Sequence, residues 1–420
     1  MRAPALGLFA CLLAVPVFAQ AQIGVEELVG RGIEVNPELR AARTEVDAAR
    51  GRLLQAGFRP NPMLDLNGSK NVAGPDNMQM IGISWPLDLG GRKDARVAVA
   101  ARELAVSQAR VADRERQLAA EIRMKAGELF AAKRNLQITD NLLTINRDAQ
   151  RLVSRRVREG AAPALDESLL LVEITRLEAQ RAGQAGRVEA LRLGLARLIG
   201  LPPASPPEVS GDLELVQAPP DRESALTQAL ERRPDLRMAT LEENLARARV
   251  DKERAEGRFD ASLVAQYQRQ ETGFDLMGMN GAGNFKPIMD VFHMVTFGVS
   301  ITLPVRHQNQ GNVAAALADV EGARQRREAT DLLVRQEVIS AYAQHDAIAQ
   351  ATGIYAKQVL TGARGNFDVV RQSYQLGRVG LLDVIAEQRR LIELEMGYTE
   401  VLKQQWDAVV DLQRAIGTTR

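Results

Sequence analysis

The stretch Gln375-Leu-Gly-Arg-Val-Gly-Leu-Leu-Asp-Val384 interrupts a segment, Val305 to Arg420, that holds no proline and otherwise carries helical periodicity. Glycine tolerates positive φ, so Gly377 and Gly380 predict a tight reversal between two helices. Asp383 stands where a carboxylate can cap the returning helix by accepting its free N–H groups. The same punctuation occurs once before, in Arg158-Glu-Gly-Ala-Ala-Pro-Ala-Leu-Asp166. There Gly160, Pro163 and Asp166 are expected to act alike. Before the reversals the sequence reads as long helices over about 91–159 and 310–376; after them helices run to Gly200 and Gly417. At about 1.5 Å per residue each long helix spans roughly 100 Å, a length no compact domain needs. The returning helix places Leu170, Ile174, Leu177, Val188, Leu191, Leu195 and Leu198 on steps of four and three. That is the beat of a coiled-coil seam. Arg181 and Gln184 occupy two of its seats. The second copy of the beat is Leu391, Leu394, Tyr398, Val401, Ala408, Leu412 and Ala415.

The reversal is one part of a larger duplication. Asn36-Pro-Glu-Leu-Arg-Ala-Ala42 matches Arg233-Pro-Asp-Leu-Arg-Met-Ala239, Ile83-Ser-Trp-Pro86 matches Ile301-Thr-Leu-Pro304, and Leu198-Ile-Gly200 matches Ala415-Ile-Gly417. The chain divides into a first repeat over 22–200, a proline-rich linker over 201–221 and a second repeat over 222–420. Units of this size are duplicated domains, too long for solenoid repeats. Each opens with a helix of moderate length, about 25–57 and 222–257. A β-like region follows, 62–87 and 259–304. Val295, Phe297, Val299, Ile301 and Leu303 alternate with Thr296, Gly298, Ser300 and Thr302, giving one apolar and one polar face. Leu64 and Leu66 alternate with Asp65 and Asn67 in the same way. Strands near ten residues suit a tilted crossing of a bilayer. Four strands cannot close a pore, and an open edge cannot sit in lipid. Several copies must then share one barrel, with the hairpins extending from it. The fold class is mainly α with a transmembrane β part.

Composition agrees with thin helical seams. Aromatics are 4% and apolar residues 45%, so Ala and Leu carry the burial. Charged residues are 25% and the net charge is +1, which speaks against nucleic acid as a partner. Residues 1–21 carry Arg2, an apolar run from Leu6 to Ala19 and small residues at Ala19 and Ala21, the plan of a secretory signal peptide. The single cysteine, Cys11, lies within it. Leu8-Phe-Ala-Cys11 leaves lipidation as the alternative processing route. No run is long and apolar enough for a membrane-spanning helix. Met277, Met279, Met289, His293 and Met294 offer soft donors at loose spacing, so no metal site is assigned. No nucleophile elbow, phosphate loop or carboxylate pair in a cleft is legible. Hence no enzyme activity, no catalytic residue and no cofactor is expected.

The segments Ser84-Trp-Pro-Leu-Asp-Leu-Gly-Gly-Arg-Lys93, Leu303-Pro-Val-Arg-His-Gln-Asn-Gln-Gly-Asn312 and Gly380-Leu-Leu-Asp-Val384 with Glu387-Gln-Arg389 resemble marks of the outer-membrane efflux protein (TolC) family. The first two resemble its heavy-metal branch, typified by CzcC and CusC. The resemblance implies a homotrimer sharing a twelve-stranded barrel in outer-membrane lipid, with a helical tunnel in the periplasm. It also implies two partners, a periplasmic adaptor protein and an inner-membrane resistance-nodulation-division pump. By the same resemblance Asp383, Tyr374 and Asp166 belong to a periplasmic constriction. Gly160, Ala161, Gly377, Arg378, Val379, Gly380 and Leu381 form adaptor-docking tips. The chain departs from the best-known member at Val379, where that protein has an arginine, and at Ala386, where it has a second aspartate. The cargo stays open: divalent heavy-metal cations by branch, with multidrug or type I secretion as alternatives on the same tube. A periplasmic coiled-coil scaffold or adaptor is the competing class.

Overall fold

Proline fixes where each repeat breaks its opening helix. The computed structural model describes residues 23–214 and 219–418; the expected signal peptide, Cys11 and part of the linker lie outside them. Within 25–57 the single expected helix is two, α1 (Val25–Val35) and α2 (Pro37–Ala56). Pro37 has no N–H to continue α1 but suits the first turn of α2, and Asn36 caps Leu39 N at 3.0 Å. The expected helix over 222–257 divides likewise into α5 (Arg222–Arg232) and α6 (Pro234–Glu256). The short helices clamp the long ones at mid-height. Leu28, Val29 and Leu39 join Leu118, Ile122 and Leu129 of α3 (Arg92–Arg158) and Leu195 of α4 (Ala164–Leu198) in one core. Ala225 and Ala229 join Val334, Val338 and Tyr342 of α7 (Gln310–Ile354) and Leu412 of α9 (Leu381–Ile416) in another.

The second long helix is not continuous. A π-helical turn, Tyr355–Val359, separates α7 from α8 (Leu360–Gln375). The sequence gives no sign of it; π turns accommodate an extra residue inside a helix. The coiled-coil beat of α4 is buried as expected at Leu170, Ile174, Leu177, Leu195 and Leu198. On α9 the expected Leu391, Leu394, Tyr398 and Val401 are only half-buried. Ile385, Ile392, Thr399 and Leu402 are buried instead. The cause is that α9 faces the first hairpin as well as its own: Ile392 packs with Leu142, Leu143, Ile174 and Leu177.

The strands β1 (Met63–Lys70), β2 (Asn77–Pro86), β3 (Asp260–Met279) and β4 (Phe285–Thr302) form one antiparallel sheet in the order β1-β2-β3-β4. β1 and β2 are 8 and 10 residues long, near the expected length. β3 and β4 reach 20 and 18, well past it. Two corners tie the sheet to the helices, and both rest on the end of α6. Arg92 donates to the carbonyls of Glu256 and Arg258 at 3.1 and 2.7 Å and to the Asp260 carboxylate at 3.0 Å. Asn309 Nδ2 donates to Glu253 O at 2.9 Å.

Candidate functional site

The register of the sheet sorts its side chains onto two faces, since residues directly opposite in antiparallel strands point the same way. One row is Leu64, Ile83, Ala265 and Phe297; the next in that face is Leu66, Ile81, Tyr267 and Val295. Trp85, Leu263 and Val299 extend it downward. The opposite face carries Asp65, Gly82, Gln266 and Thr296, then Asn67, Met80, Gln268 and Met294. All of β1 and β4 is exposed, and both are edge strands. An apolar face of this kind needs lipid, and two open edges inside lipid need partner strands. Among the described residues no helix is long and apolar enough to cross a membrane. The sheet is the membrane wall.

At the far end of the long helices lie the two reversals. Gly160 and Gly377 adopt φ of 74° and 72°, open to solvent, where an L side chain is strained. Ala161 N donates to Arg156 O at 2.7 Å and Arg378 N to Ser373 O at 2.9 Å. Both α3 and α8 therefore end in a Schellman motif. The returning helices start differently. Gly380 N donates to Asp383 Oδ2 at 3.0 Å. Asp166 accepts no such bond, against expectation, because the residue in Gly380's place is Pro163, which has no N–H.

The structure brings the two tips together. Val153 and Leu170 of the first hairpin pack with Leu381 and Ile385 of the second, and Tyr374 lies against them. Burial raises the Tyr374 phenol above its ordinary value, and the nearby Asp166 carboxylate adds to the rise. Asp383 and Arg378 are exposed and Val379 is half-buried. Leu381, expected on the docking surface, is buried in that cluster because it is the first apolar seat of α9. Leu376 and Leu382 are exposed beside it; neither was singled out in the sequence, where their flanking position looks no different from a seam residue.

A second tie between hairpins was also illegible. Glu173 of α4 is buried, and Arg389 of α9 reaches it at 3.1 Å through Nε and 2.5 Å through Nη2. Arg176 holds the same carboxylate at 3.1 Å. Burial alone would raise the Glu173 carboxyl; the two guanidiniums outweigh it and hold the group below the usual range. His293 and Met294 are successive residues of β4 and point to opposite faces. No group of three His, Cys, Asp or Glu that could hold a metal ion occurs among the described residues.

A lipid-facing sheet with two open edges, rooted on a pair of very long helical hairpins, defines a channel-forming outer-membrane protein with a periplasmic helical part. The sequence profile of the outer membrane efflux protein family matches residues 28–201 and 225–418, and the chain belongs to that family, a family of channels. The chain is 25% identical over 408 residues to the cobalt-zinc-cadmium resistance protein CzcC of Cupriavidus metallidurans, covering 96% of this chain and 93% of that one. It is 26% identical over 338 residues to the nickel and cobalt resistance protein CnrC of the same organism, covering 76% and 73%. The solved structure of CusC shares the fold, with a TM-score of 0.73 at 18% identity over 93% of this chain and 91% of that one.

Proposed function

We propose that the chain is the passive outer-membrane duct of a tripartite efflux system for divalent heavy-metal cations. It works as a homotrimer with a periplasmic adaptor and an inner-membrane pump of the resistance-nodulation-division type. The observation that carries the cargo is the match, over nearly the full length, to CzcC, a cobalt-zinc-cadmium resistance protein. The duct itself is supported by the sheet, whose edges need neighbouring copies. A water-soluble scaffold would not carry so continuous an exposed apolar face. Deleting the gene should sensitise cells to cobalt, zinc, cadmium or nickel. Drug sensitivity without metal sensitivity would favour the multidrug reading and overturn this one.

The tips Gly160–Ala161 and Gly377–Leu381 are the adaptor-docking end in this reading, with Leu376 and Leu382 supplying the exposed apolar contacts that Leu381 cannot. Tyr374, Asp166 and Asp383 line the periplasmic constriction. Three copies of the exposed Asp383 about one axis would repel one another and attract cations. Asp383→Ala should lower cation preference and weaken divalent-ion block in planar bilayers. Unchanged selectivity and unchanged block would remove Asp383 from the mouth.

A further inference from the structure

Above Glu271 the sheet narrows to two strands. β2 ends at Asn77, which pairs with Glu271. The β1–β2 turn is fastened to the next level, where Gly273 N donates to Asp76 Oδ1 at 3.0 Å. From there Phe274–Met279 and Phe285–Met289 continue as a ribbon with no strand on either flank among the described residues, closed by a turn over 280–284. Along β4, which carries no extra residue, Phe285–Met289 at about 3.3 Å per residue make the ribbon project roughly 15 Å. A β-bulge between Phe274 and Met277 sits at its root, and bulges bend the strand that carries them.

The ribbon is apolar although nothing among the described residues covers it. Leu276, Met277 and Met279 are 64%, 62% and 66% exposed, and Phe285 and Met289 are exposed as well. Asp275 and Lys286 are the only charges from Phe274 to Met289. Lipid does not account for this surface. On the outward face the apolar rows end at Tyr267 and Val295. The next level is a polar belt: Arg269 pairs with Glu271, and Tyr267 Oη lies 2.7 Å from His293 Nδ1. Such belts sit at headgroup height, so the ribbon stands beyond the hydrocarbon, in water. Exposed apolar surface of this extent marks a contact.

We infer that the occupant is the same ribbon in the other two copies: the three ribbons bend over the barrel mouth and meet on its axis, forming an apolar outer constriction. The inference rests on the trimeric duct proposed above and needs all three copies to be complete. Scale permits it. Twelve strands about 4.8 Å apart, tilted by about 40°, enclose a radius on the order of 12 Å, which a ribbon of about 15 Å spans. An apolar ring of this kind resists ions by dewetting.

Leu276→Cys in purified trimers under mild oxidation should give disulfide-linked dimers. Asn71→Cys on the β1–β2 turn should give none, since its copies stand about 20 Å apart on the same barrel geometry. The double variant Leu276→Ser, Met277→Ser should raise single-channel conductance in planar bilayers by about twofold or more. Heat-dissociable trimers that conduct, yet neither cross-link through Leu276→Cys nor change conductance, would overturn the constriction and leave the duct standing. A disulfide to a different protein would also overturn it. Failure to form any trimer or pore would remove the duct and the constriction together.

Discussion

The two repeats hold the end of their returning helices at equivalent places with different chemistry. In the first, Asn36 Nδ2 donates to Leu198 O at 2.8 Å. In the second, Arg233 donates to Ala415 O at 3.2 Å, and the guanidinium is held by Asp235 at 3.0 Å and Glu337 at 2.6 Å. Both solve one problem, the unsatisfied carbonyls at a helix C-terminus. The first uses a neutral amide, the second a charge that is 2% exposed. The same division recurs along the chain. The first repeat has short strands and an unbroken long helix; the second has the ribbon and the π turn. Duplication preserves the geometry that positions the tube, while one copy takes on features the other lacks.

The largest effect should come from breaking that anchor. Arg233→Met removes the buried cation from Asp235, which keeps only Arg116 at 3.7 Å, and from the half-buried Glu337, and should cost about 3 kcal/mol of unfolding free energy. Asn36→Ala removes one neutral bond and one cap, about 1–2 kcal/mol. Denaturant unfolding of the detergent-solubilised protein measures both; equal losses would erase the distinction between the copies. Acid should act on the same contrast. Burial raises the Asp235 carboxyl, Arg233 outweighs it, and the group lies below its ordinary 3.8. A carboxyl depressed in the folded state contributes stability that is full above its unfolded value and is lost as pH falls through the folded one. The Arg233 anchor should therefore weaken below pH 3.8, whereas the Asn36 anchor should not titrate.

The seam between hairpins offers a sharper and smaller test. Glu173→Gln removes the charge that Arg176 and Arg389 share and should cost about 1–2 kcal/mol at neutral pH. Its cost should shrink as pH falls below 4.5, the ordinary value from which the Glu173 carboxyl is depressed. A difference that persisted at acid pH would place the role of Glu173 in packing rather than charge. Because the pair joins α4 to α9 near the tips, the same variant in planar bilayers reports whether it also holds the mouth.

Local signals explain what was legible. Glycine reversals, the alternation of Val295 to Leu303 and the beat of α4 are each decided within a few residues, so the hairpins, the strand faces and the duplication could be read directly. Pairing across the fold could not. Glu173 and Arg389 look like ordinary members of a solvated charge pattern until α4 and α9 are laid side by side. The tip-side half of the α9 seam was misplaced for the same reason, since its true seats, Ile385 and Ile392, answer to the first hairpin, while Ala408, Leu412 and Ala415 are buried where the beat put them. Strand length failed at β3 and β4 because Gly, Met and Asn beyond Gly273 carry no alternation strong enough to separate ribbon from loop.

The two tips give the smallest and cleanest comparison. Asp383→Ala should cost about 0.5–1 kcal/mol, the combined loss of a box bond and a helix N-terminal charge. Asp166→Ala should cost only the charge–dipole part, about 0.3 kcal/mol, because Pro163 offers no amide to accept from. Pro163→Gly supplies that amide. Alone it should change stability little: the new bond is offset by the wider freedom of the unfolded chain. In that background, however, Asp166→Ala should cost as much as Asp383→Ala does in the native protein. The interaction free energy of the Pro163–Asp166 double-mutant cycle isolates that single hydrogen bond. A cycle that closes at zero would mean that the tips differ in more than one missing N–H, and that Gly160 and Gly377 set their backbones on different courses despite nearly identical φ.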